Sequence, residues 1–309
     1  MLIILGPTAT GKTRLAAQVA AYMDGEIISA DSRQVFRGMD LGTGKDLLDY
    51  TVAGKAIPYH LIDIAEPGEE YSVYRFQSDF IQAYKDIISR SKFPILCGGT
   101  GLYIESVVKG YRMISVPENT TLRKQLEEHD MEALTKMLSE YRKPHSTTDT
   151  CNRERILRAI EIESYQQDHP EVMAKMPAIV STIVGIHLER EEIRKRITDR
   201  LQNRLDAGMI GEVELLIKNG VNPERLMNYG LEYKFLTAHI LGRLSREEMF
   251  TQLNIAIHQF AKRQMTWFRH MEKNGSQIHW IDGHLPDAEK IQVILELLKE
   301  SDQGGKLRR

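Results

Sequence analysis

The chain has 309 residues, 42% hydrophobic and 27% charged, enough for one large or two ordinary domains with a substantial core. Its 41 basic and 43 acidic residues give a formal net charge of -2, so bulk charge announces no polyanionic partner and any nucleic-acid surface must be a local basic patch. Two cysteines, Cys97 and Cys151, are too few for a disulfide framework or a four-ligand zinc site, and with no leader and no apolar run near about 18 residues a cytoplasmic protein without a membrane anchor is expected.

Leu2-Ile3-Ile4-Leu5 reads as a short buried strand. It runs into Gly6-Pro7-Thr8-Ala9-Thr10-Gly11-Lys12-Thr13, which fits the phosphate-loop pattern G-x-x-x-x-G-K-[ST] at every fixed position. The pattern needs a strand before it and a helix after it, and Leu15, Ala16, Val19 and Ala20 supply apolar helical spacing. Gly6 and Gly11 let the backbone turn so that the amides of Thr8, Ala9, Thr10 and their neighbours face an oligophosphate at a helix N-terminus. Lys12 adds a point charge, and the Thr13 hydroxyl is a candidate ligand for a phosphate-bound magnesium ion. The loop is of the nucleotide-binding, ATP-binding type, yet the same cradle serves phosphoryl transfer, nucleotide hydrolysis and displacement of pyrophosphate.

Glu26 to Ser29 predicts a second strand, after which Asp31 falls where open parallel sheets keep their ligands. It is a candidate general base or magnesium ligand, or the cap of the next turn. Gly42-Thr43-Gly44-Lys45 is a second glycine-rich turn, a weak signal by itself. Tyr59 to Ile64 predicts a third strand, Val73 to Ser89 a crossover helix, and Phe93 to Cys97 a buried strand. That strand ends in Gly98-Gly99-Thr100-Gly101, either a close approach to a ligand or a tight turn with Thr100 as helix cap. The expected fold is α/β: a phosphate-loop NTPase-like parallel sheet flanked by helices.

From Pro117 the texture turns helical. Leu122 to His129, Met131 to Tyr141 and Asn152 to Gln167 have helical spacing, which predicts a small all-helical insertion over 117–177 within a core of 1–116 and 178–309. Arg153, Arg155 and Arg158, with Arg123, Lys124, Arg142, Lys143 and His145, form either a nucleic-acid contact or a solvated face neutralised by Glu154, Glu161 and Glu163. Val180 to Leu188 predicts a return to the sheet, and Glu189 to Ala207 a helix stopped by Gly208. Arg196, Arg200 and Arg204 lie along it in one i+4 row. They either pair with Glu192 and Asp199 or, if the neighbouring apolar row packs near the phosphate loop, reach a leaving phosphate. A last long helix spans 246–271, Gln277 to Ile281 predicts a strand, and Ser301 to Arg309 reads as a disordered tail.

In order and spacing, the phosphate loop, Asp31-Ser32-Arg33-Gln34-Val35-Phe36, Gly42-Thr43-Gly44-Lys45 and Gly98-Gly99-Thr100-Gly101-Leu102-Tyr103 resemble the tRNA dimethylallyltransferases, also called tRNA isopentenyltransferases. The resemblance continues through Arg155-x-x-Arg158-Ala159-Ile160-Glu161, Arg196-x-x-x-Arg200 and Lys262 to Arg269, covering most of the chain. It implies transfer of a dimethylallyl group from dimethylallyl diphosphate to N6 of adenosine 37, next to the anticodon of tRNA, with release of diphosphate and with magnesium present. In that reading Asp31 takes the amine proton, Thr100 and Arg200 join the loop on the diphosphate, and Asp31, Ser32, Arg33 and Gln34 contact the adenosine. Thr100, Arg123, Glu154, Arg155 and Arg158 touch the tRNA, and one chain with one site suffices, so a monomer is expected. This sequence departs from the family in three places. Phe36 stands for a tyrosine, His145-Ser146-Thr147-Thr148-Asp149 for a His-Pro-Asn-Asp-like stretch, and Glu232 for a glycine that would allow a close backbone approach.

Overall fold

A computed structural model describes residues 1–111, 113–141, 152–169 and 179–306, with side chains described through Ser301. The chain forms two compact units, one of residues 1–109 and 178–309 and one of residues 110–177.

In the larger unit, β1 (Leu2–Leu5) runs through the phosphate loop into α1 (Lys12–Met23) and then β2 (Gly25–Ala30). A 3-10 turn (Leu47–Tyr50) and a two-residue hairpin, β3 (Thr51–Val52) and β4 (Lys55–Ala56), precede β5 (Tyr59–His60). The chain continues with α2 (Val73–Ser89), β6 (Phe93–Gly98) and α3 (Gly101–Val108). After the helical unit come β7 (Thr182–His187), α7 (Arg190–Asp206), α8 (Met209–Lys218), α9 (Pro223–Leu226), α10 (Leu231–Ile240), α11 (Arg246–Lys273), β8 (Ile278–Asp282) and α12 (Asp287–Lys306).

The main sheet has the order β5-β2-β6-β1-β7-β8, and every pairing in it is parallel. β1 is central and wholly buried, so its near-continuous apolar run is what a strand covered on both faces requires. Leu2 and Ile4 pack with the buried face of α1 and with Ile294 of α12, while α7 to α11 build a second cluster around Tyr233, Leu201 and Leu253. Because every strand points the same way, the turns after β1, β2 and β6 all emerge at one edge. The sheet reverses its order beside β1, which puts a crevice there.

Two expectations change, and one stretch without a predicted element is helical. The strand expected over 59–64 stops at His60, because Leu61 (φ 62°) and Asp63 (φ 55°) are in the left-handed region, where pairing cannot continue. The stretch read as a disordered tail from Ser301 is helical as far as Lys306: α12 carries Ile291, Ile294, Leu297 and Leu298 at helical spacing into the core and sets the Ser301 hydroxyl 3.0 Å from that of Thr182. The segment between Gly208 and the last long helix is itself helical, with Gly208 (φ 99°) joining α7 directly to α8.

The smaller unit holds α4 (Thr120–Gln125), α5 (Met131–Tyr141) and α6 (Arg153–Asp168) and begins at Gly110, ahead of Pro117. Leu126, Leu134, Leu138, Ile156 and Ile160 form its core. Beside that core lies the buried carboxylate of Glu161, which accepts from Arg123 Nε (2.7 Å), Arg158 (3.0 Å) and the Asn119 N–H (3.0 Å). Burial pushes this carboxyl up, but the three donors outweigh it and hold it below its ordinary value of 4.5. Arg153 donates to the carbonyls of Leu126 and Glu127 at the end of α4. Residues 142–151, which include Arg142, Lys143, Cys151 and the His145 to Asp149 stretch, lie outside the described residues.

Glu161→Ala leaves two arginines without their shared counter-ion. It should destabilise the helical unit by about 3 kcal/mol or more, read as earlier hydrogen exchange in α4 to α6. In the wild type the carboxylate's contribution is full above about pH 4.5 and fades as pH falls through its lower folded pKa.

Candidate active site

The phosphate loop takes its shape from its own side chains. Ala9 (φ 65°) and Gly11 (φ 79°) are left-handed, which presents consecutive amides on one side, and α1 begins immediately after. The buried Thr10 hydroxyl donates to the Pro7 carbonyl at 2.9 Å, and a Cβ at Gly6 would come within 2.9 Å of that hydroxyl oxygen. Gly6 and Thr10 therefore hold the loop, while Thr8, Ala9, Gly11, Lys12 and Thr13 line a cavity of about 460 Å³. Desolvation there lowers the Lys12 ammonium from its ordinary pKa; its Nζ lies 3.3 Å from the Pro7 carbonyl.

The turn after β2 forms the opposite wall. Asp31 Oδ1 accepts the Arg33 N–H at 2.9 Å, which orients the carboxylate and leaves its other oxygen for the cavity. The Ser32 N–H donates to Thr100 Oγ1 at 3.1 Å, so the turns after β2 and β6 are joined through a hydroxyl whose own proton stays available. Thr100 stands at the N-cap of α3 but makes no capping bond with its side chain. Gln34 accepts from Ser29 Oγ and donates to the Gly44 carbonyl, both at 3.2 Å. Asp31, Ser32, Arg33, Gln34, Thr100 and Arg200 all line the same cavity.

The second glycine-rich turn explains itself only in three dimensions. A Cβ at Gly42 would sit 2.6 Å from the Tyr233 ring, and one at Gly44 (φ 72°) 2.4 Å from the Arg200 guanidinium. Lys45, fully enclosed, is paired with Asp40 at 2.9 Å and with Asp63, and it also donates to the Phe36 carbonyl. Glu212 of α8 accepts the N–H groups of Asp40, Leu41 and Gly42 and the Tyr233 hydroxyl, at 2.6 to 3.1 Å. The turn is thus a fixed part of the wall.

The arginine row of α7 divides. Arg196 pairs with Glu192 (2.7 Å), whereas Arg200 and Arg204 face the cavity and share Asp46 at 3.1 and 3.0 Å. Arg200 also donates to Thr8 Oγ1 at 3.2 Å, which ties α7 to the phosphate loop. Burial, and secondarily Arg204, lowers the Arg200 guanidinium to about 10, so it stays charged at neutral pH. Cys97, at the end of β6, lies in the same cavity, and burial pushes its thiol up to about 12, which makes it a packed rather than a reactive cysteine.

Asp46, Asp49 and Gln264 are cavity residues that pattern reading does not single out. Asp46 directly follows the Gly42 to Lys45 turn, and Gln264 lies inside the Lys262 to Arg269 stretch, so only position marked them. Gln264 spans two walls: its Oε1 accepts the Thr8 N–H and its Nε2 donates to the Gly99 carbonyl, both at 2.9 Å. Phe36 is a core residue, its ring edge-on to Tyr229 with centroids 4.6 Å apart. Arg123, Glu154, Arg155 and Arg158 belong to the helical unit.

Fold and site together define a phosphate-loop protein with a carboxylate and a pair of arginines around the anion cradle. The family model described as IPP transferase matches residues 34–271. The chain is 55% identical over 298 residues to tRNA dimethylallyltransferase 1 of Parabacteroides distasonis, covering 96% of this chain and 97% of that one. It is also 55% identical over 300 residues to tRNA dimethylallyltransferase 2 of Bacteroides fragilis, covering 97% and 98%. Its fold is similar to the crystal structure of the tRNA isopentenylpyrophosphate transferase of Bacillus halodurans, with a TM-score of 0.72 at 29% identity over 99% of this chain and 98% of that one. A eukaryotic dimethylallyltransferase acting on tRNA shares the fold, with a TM-score of 0.72 at 22% identity over 92% and 73%. The chain belongs to the IPP transferase family.

Gln264→Leu strands the Thr8 N–H and the Gly99 carbonyl together. It should cost roughly 1–3 kcal/mol in denaturant unfolding and weaken calorimetric binding of inorganic pyrophosphate by about tenfold. Unchanged pyrophosphate affinity would show that the loop holds its shape without this bridge.

Proposed function

We propose that this protein transfers a dimethylallyl group from dimethylallyl diphosphate to the N6 amine of adenosine 37, next to the anticodon of tRNA, releasing diphosphate. One observation carries the reading: the phosphate loop and the Asp31 carboxylate open into the same cavity. An exocyclic adenine amine is a weak nucleophile, and its attack on the allylic carbon needs a base within hydrogen-bond reach. With Oδ1 held by the Arg33 N–H, Asp31 takes that proton on its free oxygen. As the carbon–oxygen bond to the diphosphate breaks, negative charge grows on the leaving group. The loop amides, Lys12, Arg200 and the α1 N-terminus are donors already fixed in place for it. The Thr100 hydroxyl adds a further donor between the two halves of the site.

The acceptor base has to leave its stack to reach this cavity, and Asp31, Ser32, Arg33 and Gln34 form the wall that receives it. On the same reading Arg123, Glu154, Arg155 and Arg158 of the helical unit contact the tRNA. Glu161 fixes Arg123 and Arg158 while leaving 29% and 40% of their side chains exposed.

Magnesium fits the site as a partner of the diphosphate. The Thr13 hydroxyl has no hydrogen-bond partner among the described residues, and it shares the cavity with the oxygen donors Asp31, Asp46 and Asp49. No group of three or more His, Cys, Asp or Glu among the described residues is arranged to hold a metal, so the ion would rely on phosphate oxygens and water for its remaining ligands. Thr13 would hold it, and it would neutralise charge on the leaving diphosphate. Among the described residues no helix is long and apolar enough to cross a membrane. One chain can supply the whole proposed catalytic set, so we take the working form to be a monomer, and a tRNA substrate makes the cytoplasm its place of work.

The test is transfer of label from dimethylallyl diphosphate to an anticodon stem-loop, with AMP alongside. Label is expected on the stem-loop alone, and label on AMP instead would reject the tRNA reading. Asp31→Ala should slow the chemical step by about a hundredfold or more with stem-loop affinity nearly intact, as for loss of a general base. A variant with full single-turnover rate would remove Asp31 from that role.

A further inference from the structure

The 3-10 turn before the β3–β4 hairpin brings to the cavity a side chain that the chemistry above does not use. Tyr50 ends that turn and is only 5% exposed, and no other tyrosine lines the cavity among the described residues. Its ring is held from behind. The centroid lies 4.7 Å from that of Tyr59, and the ring belongs to the core cluster in which α1 packs on β1, β2 and β6. The turn itself rests on α1, the helix that begins where the phosphate loop ends.

The hydroxyl at the tip of the ring has no hydrogen-bond partner among the described residues. The unpartnered oxygens of Gln18, Thr237 and Ser276 are sealed in the interior, whereas the Tyr50 oxygen stays open to solvent space, and the space that its residue lines is the cavity. Cys97, Asp31 and Asp49, its strongest electrostatic neighbours, line the same cavity, which puts the hydroxyl on that side. Cys97 is also the strongest electrostatic neighbour of the Lys12 ammonium, so hydroxyl and ammonium face the same end of the cavity. Burial, the largest effect, pushes the phenol above its ordinary value of 10, and it is a neutral O–H donor at working pH.

A polar group this enclosed is costly unless a ligand completes it. A phenylalanine would pack on Tyr59 as well, so packing leaves the hydroxyl unexplained. Its missing partner has to accept a hydrogen bond. The reacting amine of an adenine is a donor, while a diphosphate presents acceptor oxygens and sits at the Lys12 end. We propose that Tyr50 is a diphosphate-binding residue whose hydroxyl donates a hydrogen bond to a phosphate oxygen. This rests on the reading that the cavity takes a diphosphate. Such a bond is charge-assisted, and it strengthens as negative charge grows on the leaving group.

The experiment compares wild type with Tyr50→Phe, which removes the hydroxyl and keeps the ring. In calorimetric titration of the whole protein with inorganic pyrophosphate, the variant should bind about tenfold more weakly, as for loss of one hydrogen bond to a charged group. Thermal unfolding without ligand should come no earlier in the variant, because no protein partner is lost. Ultraviolet difference absorption gives a second readout: pyrophosphate should perturb a tyrosine band in wild type, and the change should be missing in Tyr50→Phe. Equal affinity in the two proteins overturns the proposal, as does an earlier unfolding of the unliganded variant, which would make the hydroxyl a structural group. Pyrophosphate binding to wild type without any tyrosine signal overturns it too, whether or not the variant folds. If wild type binds no pyrophosphate at all, the diphosphate reading falls and this proposal with it.

Discussion

One amide side chain joins the two turns on which the site depends. Gln264 is bonded at both ends, to the phosphate loop after β1 and to the glycine turn after β6. Both partners are backbone groups left over where a parallel strand ends, and buried groups of that kind must be satisfied. A Cβ at Gly99 would fall 2.4 Å from the Gln264 nitrogen, and one at Gly101 2.4 Å from the ring of Trp267, which α11 presents one turn later. Trp267 in turn donates its indole N–H to Glu105 of α3 at 2.9 Å. The two glycines are therefore room for α11, which closes the back of the cavity. The phosphate loop keeps its amides pointed at a ligand because this helix holds it from behind.

The electrostatics follow from the same enclosure. Lys12, Arg200 and Arg204 are brought together in a partly desolvated space, where like charges repel and each cation loses hydration. Asp46 lies between the two arginines and keeps them extended towards the loop, and Gly44 has no side chain because the guanidinium groups occupy that volume. An anion entering this space meets donors that need not move, which is how preorganised charge lowers a barrier. The carboxylates on the rim and wall limit the excess of positive charge.

The helical unit uses its arginines differently from what their number suggests. Arg153 ends a helix, and Arg123 and Arg158 share a buried carboxylate, so part of the basic cluster is internal architecture. Both roles fit one side chain, because a guanidinium has five donors and a long stem. Fixing the base of the side chain leaves its outer edge in a set position.

Strict spacing made the phosphate loop, the helix over Val73–Ser89 and the buried strands around them legible in the sequence. Each of those rules is local, set by one stretch of backbone and its own side chains. Asp31 and the Gly98 to Gly101 turn were readable as candidates because parallel strands leave their ends at one edge. What the sequence could not decide were matters of distance between remote residues: that Gln264 bridges residues more than one hundred and sixty positions away, or that Arg200 turns inward while Arg196 pairs along its own helix. The end of β5 and the persistence of α12 were also hidden. Short edge strands and terminal helices are held by what packs against them, and a local pattern carries no record of that packing. Sequence determined the chemistry available and the sheet that collects it. Tertiary structure decided which groups share one cavity, because burial and hydrogen-bond partners depend on the whole chain.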